Sequence, residues 1–432
     1  MKVRWEGWAV ILFTVFLCVA ALWYFKDIIF LMREAPKQEK VRTFHDNFLN
    51  IASADTLNLW AVGYNGVILH TSDAGEKWEY QNSGVKVALA GVDFVSTAKG
   101  WAVGRFGTII STQDGGKTWK KQGETLTRTI RESPRGTPDG NNKVFQSSAL
   151  FKPGTMNVYQ NGVKLEPKKD FREIEGMPEI HAIVAPPSGA ELWLEYQRDY
   201  SDVFLSGISF TDESNGWVVG TNGTILHTAD GGNTWELQDS GLLDPNKNFE
   251  MVMAEDIALN RVYFVDPEYG WACGEWGVIL RTIDGGKTWE LSDTGVDKTL
   301  FDVDFVNRSL GIAVGVDGIV IRTTDGGSSW KTLPTPFEGN HLFAITFRKY
   351  GDRQDDPFAL GRGAFIYSTL FEAPTLPGDY WLPIPHMAVE RKFVWFNDIT
   401  FTSETDGWIV GEKGIIMRSK DSGSSWEVVD YQ

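Results

Sequence analysis

Six aspartates, Asp73, Asp114, Asp230, Asp284, Asp325 and Asp421, each stand two residues after a threonine or serine, two before a glycine and five before a tryptophan. A carboxylate in that setting has two chemistries open to it. It can accept hydrogen bonds from the backbone N–H groups of its own turn, with glycine supplying unusual dihedrals and the indole covering the hairpin. Alternatively it can offer oxygen to a hard cation such as calcium. Six copies in one register, each with its own glycine and tryptophan, fit structural staples better than six ion sites. No metal is therefore expected. The pattern Ser/Thr-x-Asp-x-Gly-x-x-Trp is the Asp-box.

Acid–base catalysis would need a second carboxylate at a defined separation, and a sialidase would add an arginine cluster with a Tyr and Glu pair. Asp93 and Asp304 share a repeat position held elsewhere by Ser209, Tyr263, Thr346 and Thr400. That gives one carboxylate per repeat without a partner, and no Arg-Ile-Pro signature accompanies it. These side chains read as strand and channel lining, so no catalytic residue is expected. His45, His70, His181, His227, His341 and His386 lack ligand spacing, and no Gly-x-Ser-x-Gly or phosphate loop occurs. His70 and His227 occupy the position held in other repeats by Arg281, Arg322 and Arg418, which suggests a structural role beside the turn. Cys18 and Cys273 make no disulfide framework. No cofactor is implied. A formal charge of −16 excludes nucleic acid as a general partner, because phosphate binding needs clustered Lys and Arg.

The elements that position these aspartates repeat with them. From the apolar residue of the WAVG-type run to the closing Trp the offset is constant: 60 to 78, 101 to 119, 217 to 235, 271 to 289, 312 to 330 and 408 to 426. One supersecondary unit has been copied. The apolar run, a tight turn ending in glycine (Asn65-Gly66, Asn222-Gly223, Asp317-Gly318) and a second run such as VILRT predict a hairpin. An upstream strand ends on Phe94, Phe210, Phe264, Phe305 or Phe401, and a fourth follows the closing Trp. A seventh, decayed copy lies between Trp330 and Phe393, with Ile345 to Phe347 as its first strand, Phe358 to Thr369 as its hairpin and Trp381 as its closing Trp. Seven four-stranded units predict an all-β fold, a seven-bladed β-propeller; an open β solenoid is the alternative.

The remainder divides into an N-terminal anchor (1–32), a linker (33–45), blades 1 and 2 (46–123), an insertion (124–200) and blades 3 to 7 (201–432). Trp8 to Phe25 is uncharged and would span roughly 27 Å as a helix, which predicts a single membrane span rather than a cleaved signal. Basic residues flank it on both sides, so they do not settle its orientation. The short basic tail before a single helix leads us to expect an inner-membrane anchor with the propeller on the periplasmic side. Within the insertion, Thr125 to Asn142 reads as a flexible lead-in and about Ser147 to Gln197 as a small β domain with an Asn161-Gly162 turn.

In such blades the Asp-box turns lie on one face of the ring, whereas the WAVG hairpin tips, the blade connections and the insertion lie on the other. The tips keep their glycines while their other residues vary. Candidate partner-binding residues there are Tyr64, Arg105, Phe106, Asn222, Glu275, Trp276, Asp317, Glu412 and Lys413. Phe106 and Trp276 stand out, since exposed aromatics are enriched at binding hot spots.

The repeat G-W-A-V-G-x-x-G-x-I-x-x-T-x-D-G-G-x-T-W, as in GWAVGRFGTIISTQDGGKTW up to Trp119, resembles that of the photosystem II stability and assembly factor family. The resemblance covers residues 46–432 apart from the insertion. It implies a seven-bladed Asp-box propeller that binds a membrane protein during assembly and has no catalysis. Relatives in non-photosynthetic bacteria, beside genes for resistance-nodulation-division transporters, imply a transporter accessory role. The anchor and the insertion depart from the photosynthetic pattern. The expected function is thus a membrane-anchored scaffold for an integral membrane complex, such as a transporter of hydrophobic compounds. Photosystem II assembly and a glycan-binding or sialidase-like propeller are the alternatives.

Overall fold

The computed structural model describes residues 47–429 apart from 123–128, 149, 243–256, 336–338, 351–355, 363–364, 369–381 and 385–393. The expected anchor, the linker and Trp381 lie outside the described residues. Among those described, no helix is long and apolar enough to cross a membrane.

Seven four-stranded antiparallel sheets follow one another, each with its strands in chain order. They occupy residues 48–82, 89–122, 205–238, 259–291, 300–332, 342–383 and 396–428, here blades 1 to 7. The second strand of every blade is buried throughout, which accounts for its unbroken apolar run. In blades 2 to 5 and 7 glycine opens this strand for a steric reason. In blade 4 a Cβ on Gly270 would lie 2.4 Å from the Phe264 ring, so glycine lets that ring lie flat against the backbone.

The same phenylalanine joins its blade to the one before. Trp60 stacks on Phe94, Trp101 on Phe210, Trp217 on Phe264 and Trp271 on Phe305, with ring centroids 3.5 to 3.6 Å apart. The closing tryptophans Trp119, Trp235, Trp289 and Trp330 meet those phenylalanines edge-on. Each stacked indole also donates to a glycine carbonyl in the next blade's Asp-box. Trp101 Nε1 reaches Gly231 at 2.9 Å and Trp271 Nε1 reaches Gly326 at 2.9 Å. The sequence therefore spends its tryptophans on blade-to-blade contact.

Inside the Asp-boxes the aspartates bond within their own turns. Asp73 Oδ1 accepts from Thr71 Oγ1 at 2.8 Å and from the Lys77 N–H at 2.9 Å, and Asp114, Asp230, Asp284, Asp325 and Asp421 repeat the arrangement. Hydrogen bonds from Thr118 pull Asp114, and those from Ser329 pull Asp325, down to about 2. With their acceptor capacity used locally, these carboxylates act as turn staples.

The ring closes between blades 7 and 1, which rules out an open solenoid. Trp408 and Trp78 meet edge-on at 5.8 Å, within a core shared by Phe48, Leu59, Val410 and Ile416. Asp398 Oδ2 accepts from the Ile51 N–H at 2.9 Å, and Asn397 Nδ2 donates to the Phe48 carbonyl at 2.6 Å. Among the described residues no strand is exchanged across this seam, since each blade is built from its own run of residues. Blade 6 keeps the plan with substitutes: Phe358 stands where blades 1 to 4 and 7 have tryptophan, and blade 5 has Ile312, and it packs on Phe401 at 4.7 Å.

Residues 129–197 hold two further sheets around a separate core that includes Phe145, Phe171, Leu194 and Tyr196. The stretch read as a flexible lead-in contributes Thr129–Glu132, which pairs antiparallel with Leu192–Gln197. Ile130 packs on the core while Thr129 and Arg131 face outward, a period-2 pattern too short and polar to be read as a strand.

Trp271→Phe, which removes the bond to Gly326 and part of the stack on Phe305, is expected to destabilise the ring by about 1–3 kcal/mol, measured by urea denaturation.

Candidate functional site

The seven first strands line a central channel, and their channel-side edges have no neighbouring strand to pair with. Short polar side chains from the preceding blade supply the missing partners. Asp93 accepts from the Phe210 N–H at 2.6 Å, Ser209 from Phe264 at 3.1 Å, Asp302 from Ile345 at 2.9 Å and Asp304 from Phe347 at 2.8 Å. Asn50 accepts from Val92 at 2.8 Å. The sequence reading placed one such position in each blade at Asp93 and its equivalents. Strand alternation gives two, and the second holds Asn50, Arg261, Asp302 and Asp398.

A polar cavity of about 330 Å³ opens among these side chains. Arg261 spans its floor, with Nε 3.1 Å from Asp302 and Nη2 3.5 Å from Asp398 on the other side of the ring. Lys349, from the first turn of blade 6, lies 2.5 Å from Asp304 and 2.9 Å from the Tyr263 hydroxyl. Burial pushes Asp302 up from 3.8 to about 7, with Arg261 opposing the rise and Asp398 and Asp304 adding to it. Burial likewise raises Asp93 to about 6 and moves Asp398 upward. Desolvation works against charge on Arg261 and Lys349, but the neighbouring carboxylates outweigh it and hold both cations above their usual values. Asp302 and Asp398 are thus both engaged by the one Arg261 guanidinium. Among the described residues no group of three or more His, Cys, Asp or Glu is arranged to hold a metal.

The hairpin tips have a different character. Each bonds to the residue that enters its own blade: Tyr64 N–H to Asn47, Arg105 to Ala88, Thr221 to Phe204, Glu275 to Ala258, Val316 to Thr299 and Glu412 to Trp395. The tips therefore lie on the face that carries the blade connections, spread around the ring, one per blade. Tyr64 is 48 % exposed, and Phe106 and Trp276 are 62 % and 59 % exposed. Arg105 lies over the Phe204 ring, and Glu275 accepts from the Ala258 N–H at 3.0 Å. Asp317 pairs with Lys298 at 3.4 Å. Asn222 and Glu412 are half-buried, and the Lys413 N–H donates to Asn47.

At these tips Asn65, Phe106, Asn222, Trp276, Asp317 and Lys413 all have left-handed backbone, with φ between 56 and 59°. Together with the following glycine and a bond such as Val278 N–H to the Glu275 carbonyl, this is a type I′ turn. Asn and Asp suit that position, whereas a bulky aromatic loses roughly 1–2 kcal/mol there. Phe106 and Trp276 thus combine an unfavourable backbone with exposed rings, and packing explains neither.

This arrangement defines the class: an Asp-box β-propeller whose cross-ring contacts are structural and whose connection face carries the variable side chains. A family model described as "Photosynthesis system II assembly factor YCF48" matches residues 188–292. The photosystem II assembly lipoprotein Ycf48 of Picosynechococcus is 28 % identical over 57 % of this chain and 80 % of its own length. That of a Synechococcus strain is 32 % identical over 24 % of this chain, a match that spans only 28 % of the relative. A solved structure described as YCF48 bound to D1 peptide superposes with a TM-score of 0.53 at 16 % identity, covering 90 % of this chain and 97 % of that one. A GH74 xyloglucanase from Xanthomonas campestris superposes with a TM-score of 0.57 at 10 % identity over 92 % of this chain and 56 % of its own, a likeness of fold alone. The chain is thus similar, at a distance of about 28 % identity, to the Ycf48/HCF136 family of photosystem II assembly factors.

Two outcomes follow from this geometry. Because the folded pKa of Asp302 lies above its unfolded value, its contribution to stability is full below about 4 and is lost as pH rises to about 7. Urea titrations across that range should show Asp302→Asn with a flatter decline than wild type. Trp276→Asn and Phe106→Asn, which place a residue suited to left-handed backbone, should leave stability unchanged or raise it by up to about 1 kcal/mol by the same measurement.

Proposed function

We propose that this protein is a non-enzymatic scaffold that binds an integral membrane protein during its assembly, using the face that carries the hairpin tips. The observation that carries the reading is the family relationship, joined to exposed aromatics held on strained turns of that face. Of the partners expected from the sequence, a photosystem II subunit has more support than a resistance-nodulation-division transporter. The relatives named above are photosystem II assembly factors, and one solved relative is described as bound to a D1 peptide. In this reading the apolar segment Trp8 to Phe25 tethers the propeller to the membrane, with the propeller outside the cytoplasm.

Affinity purification from the native membrane in mild detergent, with mass spectrometry of what co-purifies, tests the proposal. A multi-pass protein recovered in stoichiometric amount is the expected result, and a photosystem II reaction-centre subunit would place the chain with its named relatives. Recovery of a transporter instead would restore the accessory reading. Recovery of the propeller alone would overturn the scaffold function.

A further inference from the structure

We propose that blade 4 carries a docking groove for an extended extramembrane segment of the partner, one in which apolar side chains adjoin basic ones. The inference rests on the scaffold reading and narrows it to one surface and one chemistry. The groove, about 720 Å³, lies between the tip Trp276-Gly277-Val278 and the outgoing run from Leu291 to Asp297. Its floor is fixed. Thr294 Oγ1 donates to the Gly277 carbonyl at 2.8 Å, and a Cβ on Gly277 would lie 2.0 Å from the Val296 carbonyl oxygen.

The walls differ in kind. Trp276 and Leu291, the latter 46 % exposed, present apolar surface. The ionisable groups of the lining, Asp293 and Asp297, are both exposed carboxylates. Among the described residues no lysine or arginine lines the groove, and the adjacent Lys298 is turned to Asp317 at 3.4 Å. An apolar slot with an acidic rim favours a segment bearing Lys or Arg beside Leu or Phe and repels an acidic one. The net charge of −16 acts in the same direction at longer range. The groove also accounts for Trp276 at a turn position that suits asparagine. There the left-handed backbone holds a large, rigid ring at the mouth of the slot.

The test uses the full chain in mild detergent on arrays of short synthetic peptides that share Leu and Phe positions but carry either Lys and Arg or Asp and Glu between them. The wild type should bind the basic set and not the acidic set. Trp276→Asn, folded as stably as wild type, should bind the basic set roughly tenfold more weakly or worse. The double substitution Asp293→Asn with Asp297→Asn should flatten the salt dependence of binding. Equal binding by Trp276→Asn, or preference for the acidic set, would overturn the groove. So would self-association abolished by Trp276→Asn, which would assign the groove to a second copy. If Trp276→Asn lost the peptides yet recovered the membrane partner undiminished, the scaffold would stand and the groove would not be its docking surface. If the wild type recovered no membrane protein, the scaffold reading would fall and take the partner assignment with it.

Discussion

A strand on the rim of a central channel has N–H groups that no neighbouring strand can accept, and leaving one buried and unmet costs about 1–3 kcal/mol. In this ring the acceptor comes from the blade before: Asp93 for Phe210, Ser209 for Phe264, Asp302 for Ile345, Asp304 for Phe347 and Asp398 for Ile51. The blade angle must bring a short side chain within reach of the next backbone. The aromatic layer farther out obeys the same relation, since each of Trp60, Trp101, Trp217 and Trp271 stacks on a ring of the following blade and donates into its Asp-box. From blade 1 to blade 4 neighbouring blades are thus fixed at two radii by contacts of opposite character, polar at the channel and aromatic in the body.

What the sequence disclosed was what is local. The Asp-box carries its own acceptor, glycine and tryptophan within eight residues, so Asp73 to Asp421 announce both the turn and its bonding. The Asn-Gly and Asp-Gly tips announce their hairpins in the same way. Contacts that join distant blades left weaker traces. Arg261 meets Asp398 only because the ring curves back on itself, and no spacing in the chain marks that pair. The second channel position was legible in principle from strand alternation, which puts Asp302 on the same side as Asp304. Thr129–Glu132 carries little strand signal because Ile130 is the one apolar residue of its inward face, which it shares with Glu132, and its strand partner lies some sixty residues away.

The two faces of the ring answer to different demands. On the Asp-box side six of the seven blades carry the same turn, and its carboxylates are spent on their own backbone. On the tip side the turn backbone is constant while the side chains differ, so chemistry can vary without disturbing the sheets beneath. Phe106 and Trp276 mark where that freedom has been used against local backbone preference.

The seam between blades 7 and 1 has a consequence for how the chain comes into being. A ring that shares no strand across its closing point leaves the flank of its first blade bare until the last blade is made. As the polypeptide leaves the ribosome, Phe48, Leu59 and Trp78 must wait for Trp408, Val410 and Ile416, which are encoded more than three hundred residues later. At typical rates of synthesis that interval is tens of seconds. Throughout it the nascent protein presents an apolar surface shaped to receive a propeller blade, and the first blade of a neighbouring nascent copy offers the wrong partner at the right time.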